Sequence, residues 1–363
     1  MRILNSGPRQ IAPNRSIGVI GSIGLIGLLA LSVTGCEKEQ TPQSTSSAPT
    51  GTTATLPSGA AGGAKKKIVF VFKVGGISYS EACKAGAEQA SNDASLNAEV
   101  QYQAATEGTA EKQKDIVEQA IVGHADAIVV SPVDSKAIVP SLQKAKDQGI
   151  KVFTWDSDAP DSPREFYVAA VDDVQIGVDI AEGLAKSIGS KGSVLLFSGQ
   201  STAENLNKHL EGIRQGIAKY PGIKVLDTYY NDDKTDKAKS MAVAALQAHP
   251  DAVGIAGTNS VSPRGAGEAL RTLHKVGPVK VWGLGLPTEN KPYLKDGSVT
   301  GLYLWDPQKL TYLTAKLVVD TLNGKAPKDG DTLAEGTIHV AGKQVTLPLR
   351  LEITKDNVDS LKF

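Results

Sequence analysis

Two adjacent pairs, Trp155-Asp156 and Trp305-Asp306, each set an aromatic face beside a carboxylate. An ionised carboxylate accepts hydrogen bonds from neighbouring hydroxyls, and an amide both donates and accepts. An aromatic face covers the apolar C–H surface of a sugar ring at little cost in side-chain entropy. Such pairs suit a neutral, polyhydroxylated small molecule. The same residue types have plainer uses, because an Asp at the end of a strand often caps a helix and a Trp often fills a core. Trp282, inside an apolar run, is expected in the core.

Catalytic patterns are sparse. The chain has no G-x-x-x-x-G-K-[ST] phosphate loop, no H-E-x-x-H and no C-x-x-C. His124, His209, His249, His274 and His339 are scattered, which gives weak support to a metal site or a His-based triad. Ser141-Leu142-Gln143-Lys144 matches S-x-x-K without its companion motifs. Asp156 and Glu204 would make a glycosidase pair only if their carboxyl groups lay about 5 to 9.5 Å apart, a distance that sequence does not report. The reading is a binding protein with no cofactor and no metal.

The elements that must position these residues start at Lys65. Ile68-Val69-Phe70-Val71-Phe72, Val100 to Tyr102, Ala127-Ile128-Val129-Val130 and Val152-Phe153-Thr154 are short apolar runs separated by helical patterns. Continuous apolar strands joined by helices indicate a parallel sheet covered on both faces, a doubly wound α/β arrangement. The pattern restarts at Ser193-Val194-Leu195-Leu196-Phe197. Asp126-Ala127-Ile128-Val129 is echoed 125 residues later by Asp251-Ala252-Val253-Gly254, and Lys151-Val152-Phe153 by Lys280-Val281-Trp282. The echoes suggest two similarly folded lobes with a cleft between them.

Ligands of open parallel sheets sit outside the carboxyl ends of the strands. In the first lobe those positions hold Lys73 to Gly76 and then Tyr79, Ser131-Pro132, and Trp155 to Asp158. In the second they hold Gly199 to Asn205, Asn231-Asp232-Asp233, Gly257 to Ser260, and Gly285-Leu286-Pro287, with Leu302 to Asp306 running into the lobe junction. Carboxylates, amides, hydroxyls and tryptophans dominate.

Phe72-Lys73, Phe153-Thr154-Trp155-Asp156-Ser157-Asp158, Tyr230-Asn231-Asp232, Leu304-Trp305-Asp306 and Ile353-Thr354-Lys355-Asp356-Asn357 carry a resemblance. From about Lys66 to the C-terminus the chain resembles the periplasmic sugar-binding proteins of the ribose-type family, most closely the branch that binds rhamnose or autoinducer-2. The resemblance implies two doubly wound parallel-sheet lobes joined by three crossovers, hinge closure on one monosaccharide, and delivery to ABC permease and ATPase subunits. It makes Lys73, Asp156 and Asp158 first-lobe contacts, with Tyr79 and Ser131 lining the pocket. Trp155, Leu286, Trp305 and Asp306 complete the candidate set with the second-lobe residues Glu204, Asn205, Thr258 and Asn259. Autoinducer-2 binders carry Asp-Gln where this chain has Glu204-Asn205, and Pro-Asp-Ala where it has Gly257-Thr258-Asn259. These departures favour a monosaccharide, leaving a receptor for autoinducer-2 or another furanosyl signal, feeding import or chemosensing, as the alternative.

Composition agrees. The 363 residues include 39 basic and 39 acidic side chains and two cysteines, too few for a disulfide scaffold and too balanced for a general nucleic-acid surface. Arg2, Arg9 and Arg15, the apolar run from Ile17 to Val33, and Val33-Thr34-Gly35-Cys36 form the layout of a secretory signal with a lipobox. Residues 1–35 are expected to be removed and Cys36 lipidated, leaving 36 bases against 39 acids in an exported, monomeric protein that touches membrane only through its lipid. Residues 36–64, built of Thr, Ser, Pro, Gly, Ala and Gln, read as a flexible tether reaching roughly 30 Å. The expected first lobe is 65–171 plus 306–328 and the second 172–305 plus 329–363, with crossovers near Ala170–Asp173, Tyr303–Asp306 and Lys328–Val345. Cys83, the remaining thiol, reads as a small buried helix residue.

Overall fold

The computed structural model describes residues 64–363. The expected signal segment, Cys36 and nearly all of the tether lie outside the described residues. Among the described residues no helix is long and apolar enough to cross a membrane.

Five segments build the first sheet: β1 (Lys66–Phe72), β2 (Ala98–Ala104), β3 (Ala127–Val130), β4 (Lys151–Trp155) and β5 (Tyr167–Ala169). Helices α1 (Ser78–Asn92), α2 (Ala110–Val122) and α3 (Val139–Asp147) connect the first four. All these strand pairings are parallel, with Ile68 opposite Ala127 and Ala127 opposite Lys151. Every residue of β3 and all but Lys151 of β4 are buried, as a strand covered by helices on both faces requires. Cys83 is fully buried in this core.

The chain then crosses at 170–172 into α4 (Asp173–Ser187). The second unit follows: β6 (Gly192–Ser198), α5 (Glu204–Ala218), β7 (Ile223–Tyr230), α6 (Thr235–Ala248), β8 (Ala252–Gly257), α7 (Ser262–Thr272), β9 (Lys280–Leu284), α8 (Pro287–Asp296) and β10 (Gly301–Leu304). β3 and β8, and likewise β4 and β9, occupy equivalent places in the two sheets, which explains the short sequence echoes. After β10 the chain returns to the first lobe as α9 (Pro307–Leu322), which packs on α1.

The C-terminal division differs from the expected one. A small hairpin, β11 (Thr332–Leu333) with β12 (Gly336–Thr337), precedes β13 (His339–Ala341) and β14 (Gln344–Thr346). β14 pairs in parallel with β5, so residues 339–346 extend the first sheet, in the order β13-β14-β5-β4-β3-β1-β2. Only β15 (Leu351–Ile353) joins the second, ordered β15-β10-β9-β8-β6-β7, and the third crossing therefore runs through 347–350. Strands of two or three residues carry no readable period, so sequence does not assign them to a sheet.

Helices α4 and α5 meet backbone to backbone. A Cβ at Gly177 would stand 2.2 Å from the His209 carbonyl oxygen, and one at Gly212 2.0 Å from that of Val174. Gly177→Ala is expected to force the helices apart and lower stability by about 1–3 kcal/mol. An unchanged denaturation midpoint would contradict that packing argument.

Candidate functional site

Three strand ends and one helix start converge on Asp156. This residue follows β4 in the left-handed region, at φ 58°, a conformation that Asp adopts more readily than most residues. Its Oδ2 accepts from Lys73 Nζ at 2.7 Å, just after β1, and from Ser131 Oγ at 2.8 Å, just after β3. Its Oδ1 accepts from the Tyr79 hydroxyl of α1 at 2.7 Å, and the Tyr79 oxygen in turn accepts from Trp305 Nε1 at 2.8 Å. Burial, and then the Asp156 carboxylate, push the Tyr79 hydroxyl well above the ordinary tyrosine range, which keeps it a donor. Lys73 and Asp156 form a buried ion pair with side chains 7% and 3% exposed.

The facing wall is built by α5 and the ends of β7 and β8. Lys73 Nζ donates across the cleft to Asn205 Oδ1 at 3.4 Å. Asn259 Nδ2 donates to Asp233 Oδ1 at 2.7 Å and to Asn231 Oδ1 at 2.8 Å, and Asn231 Nδ2 to Ser262 Oγ at 2.8 Å. Thr258 Oγ1 donates to Ser198 Oγ at 2.8 Å. Asp233 Oδ2 is buried with no hydrogen-bond partner. Burial pushes the Asp233 carboxyl above the usual carboxylate range, although Lys73 and Asn259 pull the other way. Gly199 makes room for it, since a Cβ there would lie 2.2 Å from Asp233 Oδ1.

These walls enclose a pocket of about 430 Å³ of non-atom space, its mouth included. Contacts at the rim cross between lobes: Thr202 Oγ1 donates to the Val133 carbonyl at 2.9 Å, Gln200 Nε2 to that of Gly108 at 3.2 Å, and Ser78 Oγ to Glu289 Oε1 at 2.7 Å. The lobes are closed on the pocket.

Of the expected residues, Lys73, Tyr79, Asp156, Asn205, Thr258, Asn259 and Trp305 line this pocket, and Ser131 stands behind it holding Asp156. The others are placed elsewhere. Trp155 is 0% exposed, packed against Phe70 and Phe72 with ring centroids at 5.2 and 5.6 Å, because the residue before Asp156 points into the core. Asp158 accepts from Thr154 Oγ1 at 2.6 Å and Arg164 Nη2 at 2.8 Å, which pins the loop after β4. Glu204 pairs with Lys208 one turn along α5. Leu286 precedes α8 and accepts at its carbonyl from Asn290, while Leu284 faces the pocket. Asp306 caps α9 by accepting from the Lys309 N–H at 3.1 Å.

Asp233 and His209 also line the pocket. Asp233 stood in the strand-end inventory, but which of three polar neighbours turns inward depends on left-handed backbone at both Asp232 (φ 53°) and Asp233 (φ 57°). His209 lies one helical turn beyond Asn205, a spacing that puts both on one face.

A model of the periplasmic binding protein domain matches residues 68–326, well over half of the chain. The chain belongs to the periplasmic binding protein family. It is 29% identical over 240 residues to the D-ribose/D-allose-binding protein of Pseudomonas aeruginosa, covering 64% of this chain and 73% of that one. Among solved structures it is similar to an ABC transporter solute-binding protein of Burkholderia graminis in complex with D-arabinose, 30% identical with a TM-score of 0.71, covering 83% and 99% of the two chains. It is also similar to LsrB of Clostridium saccharobutylicum in complex with AI-2, 25% identical with a TM-score of 0.76, covering 82% and 100%. This binding protein is thus not an enzyme; its cleft has to hold a ligand without transforming it, and it works outside the cytoplasm.

Proposed function

We propose that this binding protein captures a neutral monosaccharide between its lobes and presents it to the permease and ATPase subunits of an ABC importer. The observation that carries the reading is the buried, unpartnered Oδ2 of Asp233 in the wall opposite the Asp156 hub. A buried acceptor without a partner is costly, and a ligand hydroxyl would satisfy it. Trp305 and Phe72 supply apolar faces for the ring. Two carboxylates and one lysine face the pocket, with no arginine among the described residues lining it, so an anionic sugar is disfavoured. The lipobox at Val33 to Cys36 supports a tether to the cell envelope by lipid on Cys36.

Closure follows from ligand touching both walls, which lowers the free energy of the closed form by the difference between its affinities for closed and open forms. A thermal-shift screen against pentoses, hexoses, deoxyhexoses and autoinducer-2 tests the reading. One sugar is expected to raise the melting temperature, since ligand at 100 times its Kd stabilises by about 2.7 kcal/mol. A flat response to all of them would sink the proposal. The likeness to LsrB favours autoinducer-2 as the second reading, and a shift with that compound alone would select it.

A further inference from the structure

A buried polar chain passes from the pocket through the first crossover. Tyr167, which opens β5 in the first lobe, points its hydroxyl at Asp173 Oδ2, 2.9 Å away, and at the Asp156 carbonyl, 3.2 Å away. Asp173 opens α4, just past the crossover. Its neighbour Asp172 caps that helix by accepting from the N–H groups of Val174 and Gln175, so the Asp173 carboxylate is left for other partners. Asp173 Oδ1 lies 3.1 Å from His209 Nε2, and His209 Nδ1 lies 3.1 Å from the Thr258 carbonyl oxygen in the pocket wall. Tyr167 and His209 are 0% and Asp173 6% exposed. The close approach of α4 to α5 at Gly177 and Gly212 brings the imidazole within reach of Asp173.

We propose that Tyr167, Asp173 and His209 form a latch across the hinge that holds the closed angle of the lobes. The latch regulates the pocket assigned above and rests on that reading of the cleft. Rotation of the lobes about 170–172 moves Tyr167 relative to Asp173, so their bond forms at one lobe angle. The Tyr167 hydroxyl donates and the Asp173 carboxylate accepts, while His209, set between Asp173 and the Thr258 carbonyl, fixes that carboxylate from the second-lobe side. Burial and the Asp173 carboxylate keep the Tyr167 hydroxyl protonated.

The test is amide hydrogen exchange on the ligand-free, full-length chain. The Ser135 N–H of the first lobe is bonded to the Thr202 carbonyl of the second, and the Ser131 N–H to the Val71 carbonyl within the first lobe. The ratio of exchange at Ser135 to that at Ser131 therefore reports lobe opening and cancels the intrinsic effect of pH. Tyr167→Phe is expected to raise this ratio about tenfold or more. A wild-type ratio in Tyr167→Phe would overturn the latch. If Tyr167→Phe fails to fold, seen as lost protection at Ser131, Asp173→Asn decides by the same ratio, and a wild-type value there would overturn the latch. No sugar enters the experiment, so a failed latch and a failed ligand assignment are read from separate measurements.

Discussion

Asp156→Ala is expected to abolish measurable ligand binding and to destabilise the free protein by about 3–5 kcal/mol, the usual consequence of leaving a buried charge without its partner. The stranded charge is the Lys73 ammonium, whose counter-ion lies 2.7 Å away. Two further donors, the Tyr79 hydroxyl and Ser131 Oγ, lose their acceptor in the same step. Alanine would also sit badly at φ 58°, which adds about 1–2 kcal/mol. Asp156→Asn separates the backbone effect from the others, because Asn tolerates the left-handed backbone while removing the charge and one acceptor oxygen. Three of the roughly four acceptor positions of the Asp156 carboxylate are filled from within the protein. Its main role is then to aim Lys73, and a ligand loses that donor along with it. Calorimetry on folded Asp156→Ala that returned wild-type affinity would refute the assignment.

Asp233→Asn is expected to act in opposite directions on binding and on stability. The amide puts an N–H₂ group or a weaker acceptor in place of the free carboxylate oxygen, so ligand-induced stabilisation should fall to nothing. The free protein should become more stable at neutral pH by about 1–3 kcal/mol, because a neutral amide is cheaper to bury than an unsatisfied carboxylate. The sign follows from the direction of the shift. Burial raises the Asp233 carboxyl above its unfolded value, so the folded state binds the proton more readily. Stability from this group is present below the unfolded value and is lost as pH rises through the folded one. The gain in Asp233→Asn should therefore shrink on acidification, and wild-type affinity should weaken as Asp233 is neutralised. Denaturation and binding measured on both proteins as pH is lowered from neutral check this. A free variant less stable than wild type at neutral pH, or one that still binds, would contradict it.

Much of the first lobe was legible because its strands are continuous apolar runs and its ligand-side residues follow them directly. Lys73 after β1, Ser131 after β3 and Asp156 after β4 sit where the strand-end rule puts them. The rule failed wherever neighbouring residues competed. Trp155 and Asp156 are adjacent, yet one is core and the other is the hub, because consecutive side chains leave a strand end on opposite sides. Asp158 and Asp306 have the right chemistry at the right ends and are used to hold a loop and cap a helix. Asp232 and Asp233 have identical side chains; Asp232 turns out to Lys237 and Asp233 turns in, by backbone dihedrals that no composition reports.

Sequence alone determined the two-lobed parallel architecture, since hydrophobic period and strand-helix alternation are local properties that each segment carries with it. It likewise determined the chemical character of the cleft, since strand ends collect ligand groups whatever their exact aim. Tertiary structure alone decided which groups meet. Asp156 gathers Lys73, Tyr79 and Ser131, Asp233 keeps one oxygen free, residues 339–346 return to the first sheet, and His209 joins a residue 36 positions earlier at the hinge. Each of these depends on the packing of elements distant in the chain, where an ångström of approach at Gly177 or Gly199 settles which donor reaches which acceptor.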